Sequence, residues 1–114
     1  MTVARQRLGS SGERRAARRY EALGWEVVAR NWRCSDGELD LVVRKGDVLA
    51  FVEVKTRASD RFGHPAEAVT PAKQRRIRRL AARFCADTGE RAAVLRFDVV
   101  SVLAGQVELY EGCY

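Results

Sequence analysis

The stretch Asp36–Arg57, DGELDLVVRKGDVLAFVEVKTR, decides how the rest of the chain folds. Two apolar runs flank Lys45-Gly46-Asp47-Val48 and charged residues interrupt both, which is the pattern of a β-hairpin. Gly46-Asp47 fits a two-residue turn with glycine first, the type II′ form, and a turn of that length fixes which residues face each other. The resulting register places Val42 opposite Phe51, Arg44 opposite Leu49, Asp40 opposite Glu53 and Glu38 opposite Lys55, all on one face by the two-residue period of a strand. Leu39, Leu41, Val43, Ala50, Val52 and Val54 take the other face. One side is therefore wholly apolar, while the other passes from apolar near the tip to three carboxylates and one ammonium at the open end.

Directly opposed side chains have Cβ atoms about 4.5–5.5 Å apart, where like charges repel. A cation between the acids relieves that repulsion. Lys55 supplies part of the charge, and two carboxylates at this separation also suit a hard divalent cation with oxygen ligands, Mg²⁺ or Mn²⁺. Asp40, followed after twelve residues by Glu53-Val54-Lys55, resembles the D…ExK core of the PD-(D/E)XK nuclease superfamily, the fold of restriction endonucleases and Holliday-junction resolvases. The flanks extend the match: Gly12-Glu13 before Ala16, Asn31-Trp32-Arg33, Gly37-Glu38-Leu39-Asp40, Phe51 through Arg57, Phe62-Gly63, Lys73 and Phe97-Asp98-Val99 stand in order. The whole pattern is similar to the YraN-like family of small bacterial proteins, which are regarded as nuclease-like. One departure is that Gly37-Glu38-Leu39-Asp40 replaces the superfamily's Pro-Asp pair. The resemblance implies an α/β, restriction-endonuclease-like αβββαββ fold, a mixed sheet flanked by helices. It implies Asp40 and Glu53 as ligands of Mg²⁺, Lys55 as the group that orients or polarises the attacking water, and a first-helix Glu, here Glu13, near the metal. Branched or structured DNA follows as substrate from the resolvases alone, and with it a homodimer, although no interface signature stands in the sequence.

At 114 residues the chain is one domain's worth, 1–114, long enough to bury a core without staples. The segment MTVARQRLGSSGERR has arginines but no apolar run behind them, so neither a signal peptide nor an anchor is expected. Nowhere do about 18 apolar residues run together, which excludes a helical membrane span and makes the cytoplasm the expected location. Cys34, Cys85 and Cys113 are scattered without a C-x-x-C pair, so neither a zinc site nor a disulfide framework is expected. Cys85 falls on the apolar side of a helix as a small core residue, while Cys34 has no assigned role. Net charge is +6, and among 21 basic residues only Lys45, Lys55 and Lys73 are lysine. The planar fork of arginine binds phosphate oxygens two at a time, which favours a nucleic acid, most simply DNA, as partner. High genomic GC content produces the same bias without function.

Outward from the hairpin, Ser10 to Leu23 reads as a first helix stopped by Gly24, with Glu13, Ala16, Ala17, Tyr20 and Leu23 along one stripe. Ser10-x-x-Glu13 has the form of a capping box, so Glu13 either caps this helix or joins the acids, or does both. Arg14, Arg15, Arg18 and Arg19 occupy the opposite face, as a solvated surface or a ridge that contacts phosphate. Trp25 to Arg30 reads as a strand and Asn31 to Asp36 as a turn, with Trp32 either a core residue or a base-stacking one. Ala58 to Val69 reads as a loop whose His64 is incidental rather than catalytic. Thr70-Pro71 opens a helix to about Ala86 with Ile77, Leu80, Ala81 and Phe84 as its apolar stripe. Arg75, Arg76, Arg79 and Arg83, with Arg78, line its other side, and Lys73 projects from the first turn near the stripe. Gly89 ends the connection, Ala92 to Leu103 is a long strand with Asp98 in a structural role, and Val107 to Tyr110 is an edge strand. The helix between the strands Val48–Thr56 and Ala92–Leu103 makes those two parallel by right-handed crossover.

Three functions fit. The first is a Mg²⁺-dependent phosphodiesterase acting on DNA, in which Asp40, Glu53 and Glu13 hold metal, Lys55 activates water, and Arg15, Arg18, Lys73, Arg75, Arg76, Arg79 and Arg83 hold flanking phosphates. The second is a non-catalytic nucleic-acid-binding module of the same fold. The third is a metal-free assembly protein in which Asp40, Glu53 and Lys55 form a structural ion-pair network.

Overall fold

In the computed structural model, which describes residues 3–57, 67 and 69–114 with the backbone alone for 3–10, the hairpin forms as its turn dictates. Gly46 sits at φ 58 with Asp47 outside the positive-φ set, the combination of a type II′ turn, and Lys45 pairs with Val48 across it. The tip also starts the next strand, because Asp47 Oδ1 accepts from Ala93 N at 3.0 Å and Asp47 O from Val94 N at 3.1 Å. Arg44 braces the same corner by donating to Gly46 O at 3.1 Å and Glu90 Oε2 at 3.0 Å.

The elements run α1 (Val3–Ala22), β1 (Glu26–Cys34), β2 (Gly37–Lys45), β3 (Val48–Arg57), α2 (Pro71–Thr88), β4 (Val94–Leu103) and β5 (Gln106–Tyr110). The five strands make one sheet in the order β1-β2-β3-β4-β5, with β3 and β4 parallel and every other pair antiparallel. The expected meander and crossover are both present, and the fold is α/β with a mixed sheet between two helices. Thr70 caps α2 by accepting from Lys73 N, Pro71 follows at its first turn, and Gly89 closes it in the left-handed conformation at φ 77.

Each helix covers one face. Ile77, Leu80, Ala81 and Phe84 of α2 pack on Leu39, Val42, Leu49, Phe51, Phe97 and Val99, with Trp32 edge-on to Phe84 at 5.3 Å. Trp32 is thus a core residue. Cys34 and Cys85 pack at the margin of the same cluster. Ala16, Ala17 and Tyr20 of α1 pack on Leu41, Val43, Ala50, Val52, Val100 and Val102. Two successive alanines bring the backbone of α1 close to the sheet.

Three expectations need correction. Helix α1 runs from Val3, so Ser10 lies inside it and the capping box does not form; a residue in a helix interior meets no orphan N–H groups to cap. Asn31 to Cys34 belongs to β1 rather than to a turn, because Asn31 takes a left-handed backbone at φ 51 and lets the strand continue past it. Leu39 packs on the α2 side with Val42, whereas Leu41 packs on the α1 side. Strict alternation would put Leu39 and Leu41 together, so the pleat is broken at Asp40, between the pairs Arg30↔Leu41 and Trp32↔Leu39 that bracket Asn31. Among the described residues no helix is long and apolar enough to cross a membrane. The loop expected over 58–69, His64 included, falls almost wholly outside the described residues.

Candidate metal centre

The break at Asp40 builds the site. The β2–β3 ladder follows the expected register from Lys45↔Val48 to Leu41↔Val52 and stops there, one position short of the expected Asp40–Glu53 pair. Beyond it the strands part, and Asp40 Oδ2 accepts from Val54 N at 2.9 Å. A strand N–H points along the plane of the sheet, so the Asp40 carboxylate fills the gap between the strands instead of standing on a face. Asp40 therefore meets Glu53 through the gap and not as a cross-strand neighbour.

The pleat break also redirects Glu38. With Leu39 committed to the α2 side, Glu38 turns toward α1, where it meets Glu13. One carboxylate oxygen from each of Glu13, Glu38 and Asp40 lies within 4.8 Å of the others. Glu38 is ion-paired to Arg33 at 3.4 Å, and Lys55 is paired with Glu53 at 3.4 Å, so the expected Glu38–Lys55 pair is replaced by two others. Glu53 and Lys55 alternate with Phe51 and leave β3 on the α2 side, adjoining the trio rather than within it.

Electrostatics mark the cluster as short of positive charge. Burial pushes the Asp40 carboxyl up to about 7, the charge of Glu53 adds to it, the Val54 N–H opposes it, and Glu13 and Glu38 raise it further. Glu13, 9% exposed, is also raised, first by burial and then by Glu38, against an Asn31 side-chain hydrogen bond and the charges of Arg33 and Arg30. Its Oε2 is buried with no hydrogen-bond partner. An ionised oxygen left unpaired out of water is costly, and a cation is the group that relieves it. The donors are all hard carboxylate oxygens, the set that Mg²⁺ or Mn²⁺ takes. Ligands of one Mg²⁺ stand about 2.1 Å from the ion and hence within about 4.2 Å of one another, so slight inward rotation of these side chains suffices.

Close packing holds Glu13 in place. A Cβ on the preceding Gly12 would come within 2.3 Å of Thr56 Oγ1, so α1 touches β3 at a distance that only glycine allows. Of the expected phosphate-binding residues, Arg15 donates to Gly105 O at 3.2 Å and Arg18 is exposed on α1. Arg75, Arg76 and Arg79 are exposed on α2 without an ion pair among the described residues, and Lys73 is half-buried in its first turn. Arg83 is instead engaged with Ser35 at 2.8 Å, Asp36 at 3.1 Å and Asp87 at 3.5 Å. Asp98, expected to be structural, accepts four hydrogen bonds in full burial.

Sequence reasoning gave Asn31 and Tyr114 no part in the site and placed Arg78 only on the arginine side of its helix. Asn31 sits beside Asp40 in the β1–β2 ladder, and a short amide side chain in a β-rich stretch was its signal, since asparagine tolerates the left-handed region. Tyr114 stacks on Phe97 at 5.3 Å, and burial followed by the charge of Glu53 raises its hydroxyl, which is buried without a partner. Arg78 lies over both rings, 4.8 Å from Phe97 and 5.8 Å from Tyr114. No periodicity in the sequence brings Tyr114 there.

Residues 12–102, which include every member of the acidic cluster, match the model of the uncharacterised protein family UPF0102. A UPF0102 protein of Beutenbergia cavernae is 60% identical over 100 residues, covering 88% of this chain and 85% of its own. One of Nocardia farcinica is 56% identical over 99 residues (87% and 78%), and one of Symbiobacterium thermophilum is 50% identical over 100 residues (88% and 85%). With that extent of match, the chain belongs to the UPF0102 family.

Proposed function

We propose that this protein is a Mg²⁺-dependent endonuclease that hydrolyses phosphodiester bonds of DNA, with branched or structured DNA as the preferred form. The observation that carries the proposal is the buried Glu13 oxygen without a partner, facing Glu38 and Asp40 beside the Glu53–Lys55 pair. A structural ion-pair network would balance its charges, and this one leaves carboxylates in surplus. The motif resemblance supplies the reaction class, and the excess of arginine supplies the polyanionic partner. Preference for branched DNA rests on the resemblance to resolvases.

Asp40, Glu13 and Glu38 would hold the ion, with Glu53 adjoining. When bound, Mg²⁺ offsets charge on the phosphate and lowers the pKa of water at neutral pH. Asp40 is oriented for this by the Val54 N–H, and Glu13 by Asn31. Lys55, tethered to Glu53, presents its ammonium on the α2 side of the gap, where it orients the attacking water or meets charge on the phosphate. Water supplies the oxygen that bonds to phosphorus, the bond to one sugar oxygen breaks, and that oxygen leaves with a proton.

The test is a nicking assay over branched, duplex and single-stranded DNA with Mg²⁺ or Mn²⁺, beside Glu53→Ala and Lys55→Ala. Cleavage that needs the cation and falls by about 100-fold or more in either variant is expected. Unchanged cleavage in both variants would remove these residues from the reaction. Salt-dependent binding that survives Glu53→Ala, with no cleavage by the unmodified protein, would make this a non-catalytic nucleic-acid-binding module.

A further inference from the structure

We infer that a groove between α1 and the β4–β5 turn is a track for the sugar-phosphate backbone of the nucleic acid, on the flank of α1 opposite the acidic cluster. The inference rests on the function proposed above and adds where the substrate lies. Arg15, Arg18 and Arg19 form one wall of an open groove of about 600 Å³, and residues 105–108 form the other. A smaller pocket of about 140 Å³, lined by Ser11, Gly12, Thr56 and Arg57, shares Arg15 and Gly105 with it. The Arg15–Gly105 hydrogen bond stands between the two. The smaller pocket ends at the Gly12–Thr56 contact, across α1 from Glu13, which faces Asn31 of β1 and Glu38 of β2.

The charge of the groove fits a chain of phosphates. Its three arginines face a single acid, Glu108, which already accepts from the Tyr110 hydroxyl at 2.5 Å. Arg15, Arg18 and Arg19 make no ion pair among the described residues, and the bond of Arg15 to Gly105 O uses one of its five donors. Residues three and four apart on a helix stand about 5–6 Å apart at Cβ, so these forks form a ladder along the groove, suited to a repeating anion more than to a single one. The α2 arginines are arranged differently. Arg83 is engaged with Asp36 and Asp87 and Arg78 lies over Phe97, while Arg75, Arg76 and Arg79 stand on exposed helix surface. Arg19, expected on the same α1 ridge as Arg15 and Arg18, lines the groove with them.

The experiment measures binding of fluorescein-labelled branched and duplex DNA across a salt series, with Mg²⁺-dependent nicking read in parallel. It compares the unmodified chain, the triple variant Arg15→Gln/Arg18→Gln/Arg19→Gln, and the triple variant Arg75→Gln/Arg76→Gln/Arg79→Gln. We expect the α1 variant to bind about tenfold or more weakly at physiological salt, and its slope of log affinity against log salt to flatten by about 2 to 3, the share of as many phosphates. The α2 variant should change both less. A single Arg18→Glu reversal on the exposed helix face gives the same reading if the triple variant fails to fold, with a several-fold loss expected. An α1 variant, triple or reversed, that binds with the affinity and slope of the unmodified chain overturns the groove, even where nicking proceeds. Nicking absent while binding depends on these arginines overturns the nuclease and leaves the track in place. No DNA binding by the unmodified chain overturns both.

Discussion

Two buried acids on the α1 side of the sheet have opposite surroundings. Asp98 is fully buried and accepts from the Tyr20 hydroxyl at 2.8 Å, Arg96 Nε at 2.9 Å, Arg96 Nη2 at 2.8 Å and Gly112 N at 2.9 Å. Its neighbours are held in turn, because Arg96 lies 4.7 Å over Trp25 and 3.7 Å from Glu111, and Tyr20 meets Trp25 edge-on. Glu13, seven residues before Tyr20 on the same helix, has a buried oxygen with no partner and other acids as neighbours. Burial is similar at the two sites. What separates them is the inventory of donors: at Asp98 the protein supplies its own counter-charge, and at Glu13 and Asp40 acids stand among the nearest charges.

The largest test of this contrast is Asp98→Ala, which strands a half-buried guanidinium, a tyrosine hydroxyl and a backbone N–H. It should lower the free energy of unfolding by about 3–5 kcal/mol, with or without Mg²⁺, as measured by urea denaturation. A loss below about 1 kcal/mol would mean that the network at Asp98 is replaceable and the contrast weaker than drawn.

Asp40→Asn should act in the other direction. Its amide oxygen still accepts from Val54 N while the repulsion from Glu53, Glu13 and Glu38 disappears, so stability without divalent ions at about pH 8 should rise by about 1 kcal/mol. Mg²⁺ should raise the Tm of the unmodified chain and leave that of the variant nearly unchanged. A marked loss of stability in metal-free Asp40→Asn would put Asp40 in the same class as Asp98.

A smaller effect sharpens the comparison through pH. The folded-state value of Asp40, about 7, lies above its ordinary 3.8, so the folded chain binds more protons than the unfolded chain between those limits. Its stabilising contribution is complete below the lower limit and is lost as pH rises through the upper one. Metal-free urea midpoints should therefore fall from about pH 5 to about pH 8, flatten in Asp40→Asn, and flatten in the unmodified chain when Mg²⁺ is added. A decline that Mg²⁺ leaves intact would mean that no cation reaches these acids.

Much of the architecture was legible because it rests on local rules. Gly46-Asp47 fixed a turn and thereby a register, Thr70-Pro71 and Gly89 bounded a helix, and the intervening helix made β3 and β4 parallel. Of the acids expected to stand together, Glu13 and Asp40 do, while Glu38 takes the place expected of Glu53 in the trio. Register arithmetic carries a strand forward as if its pleat were unbroken, and Asn31 breaks it one strand away, beside Asp40 in the ladder. The capping signature at Ser10 was locally sound but met a helix that had begun upstream at Val3. Tyr114 reaches the Glu53 side through packing on Phe97, a long-range contact that no periodicity encodes.

The contact at Gly12 ties the first helix to the acidic cluster. Where a missing methyl sets how near two elements come, the seating of the helix and the reach of Glu13 are one variable. A displacement on the order of 1 Å, small beside what a hydrophobic interface tolerates, is enough to detune a reacting centre by about a hundredfold. In this architecture a side chain at position 12 would therefore be a tuning screw: it would leave every acid and both cores in the sequence and still move Glu13 away from Glu38 and Asp40.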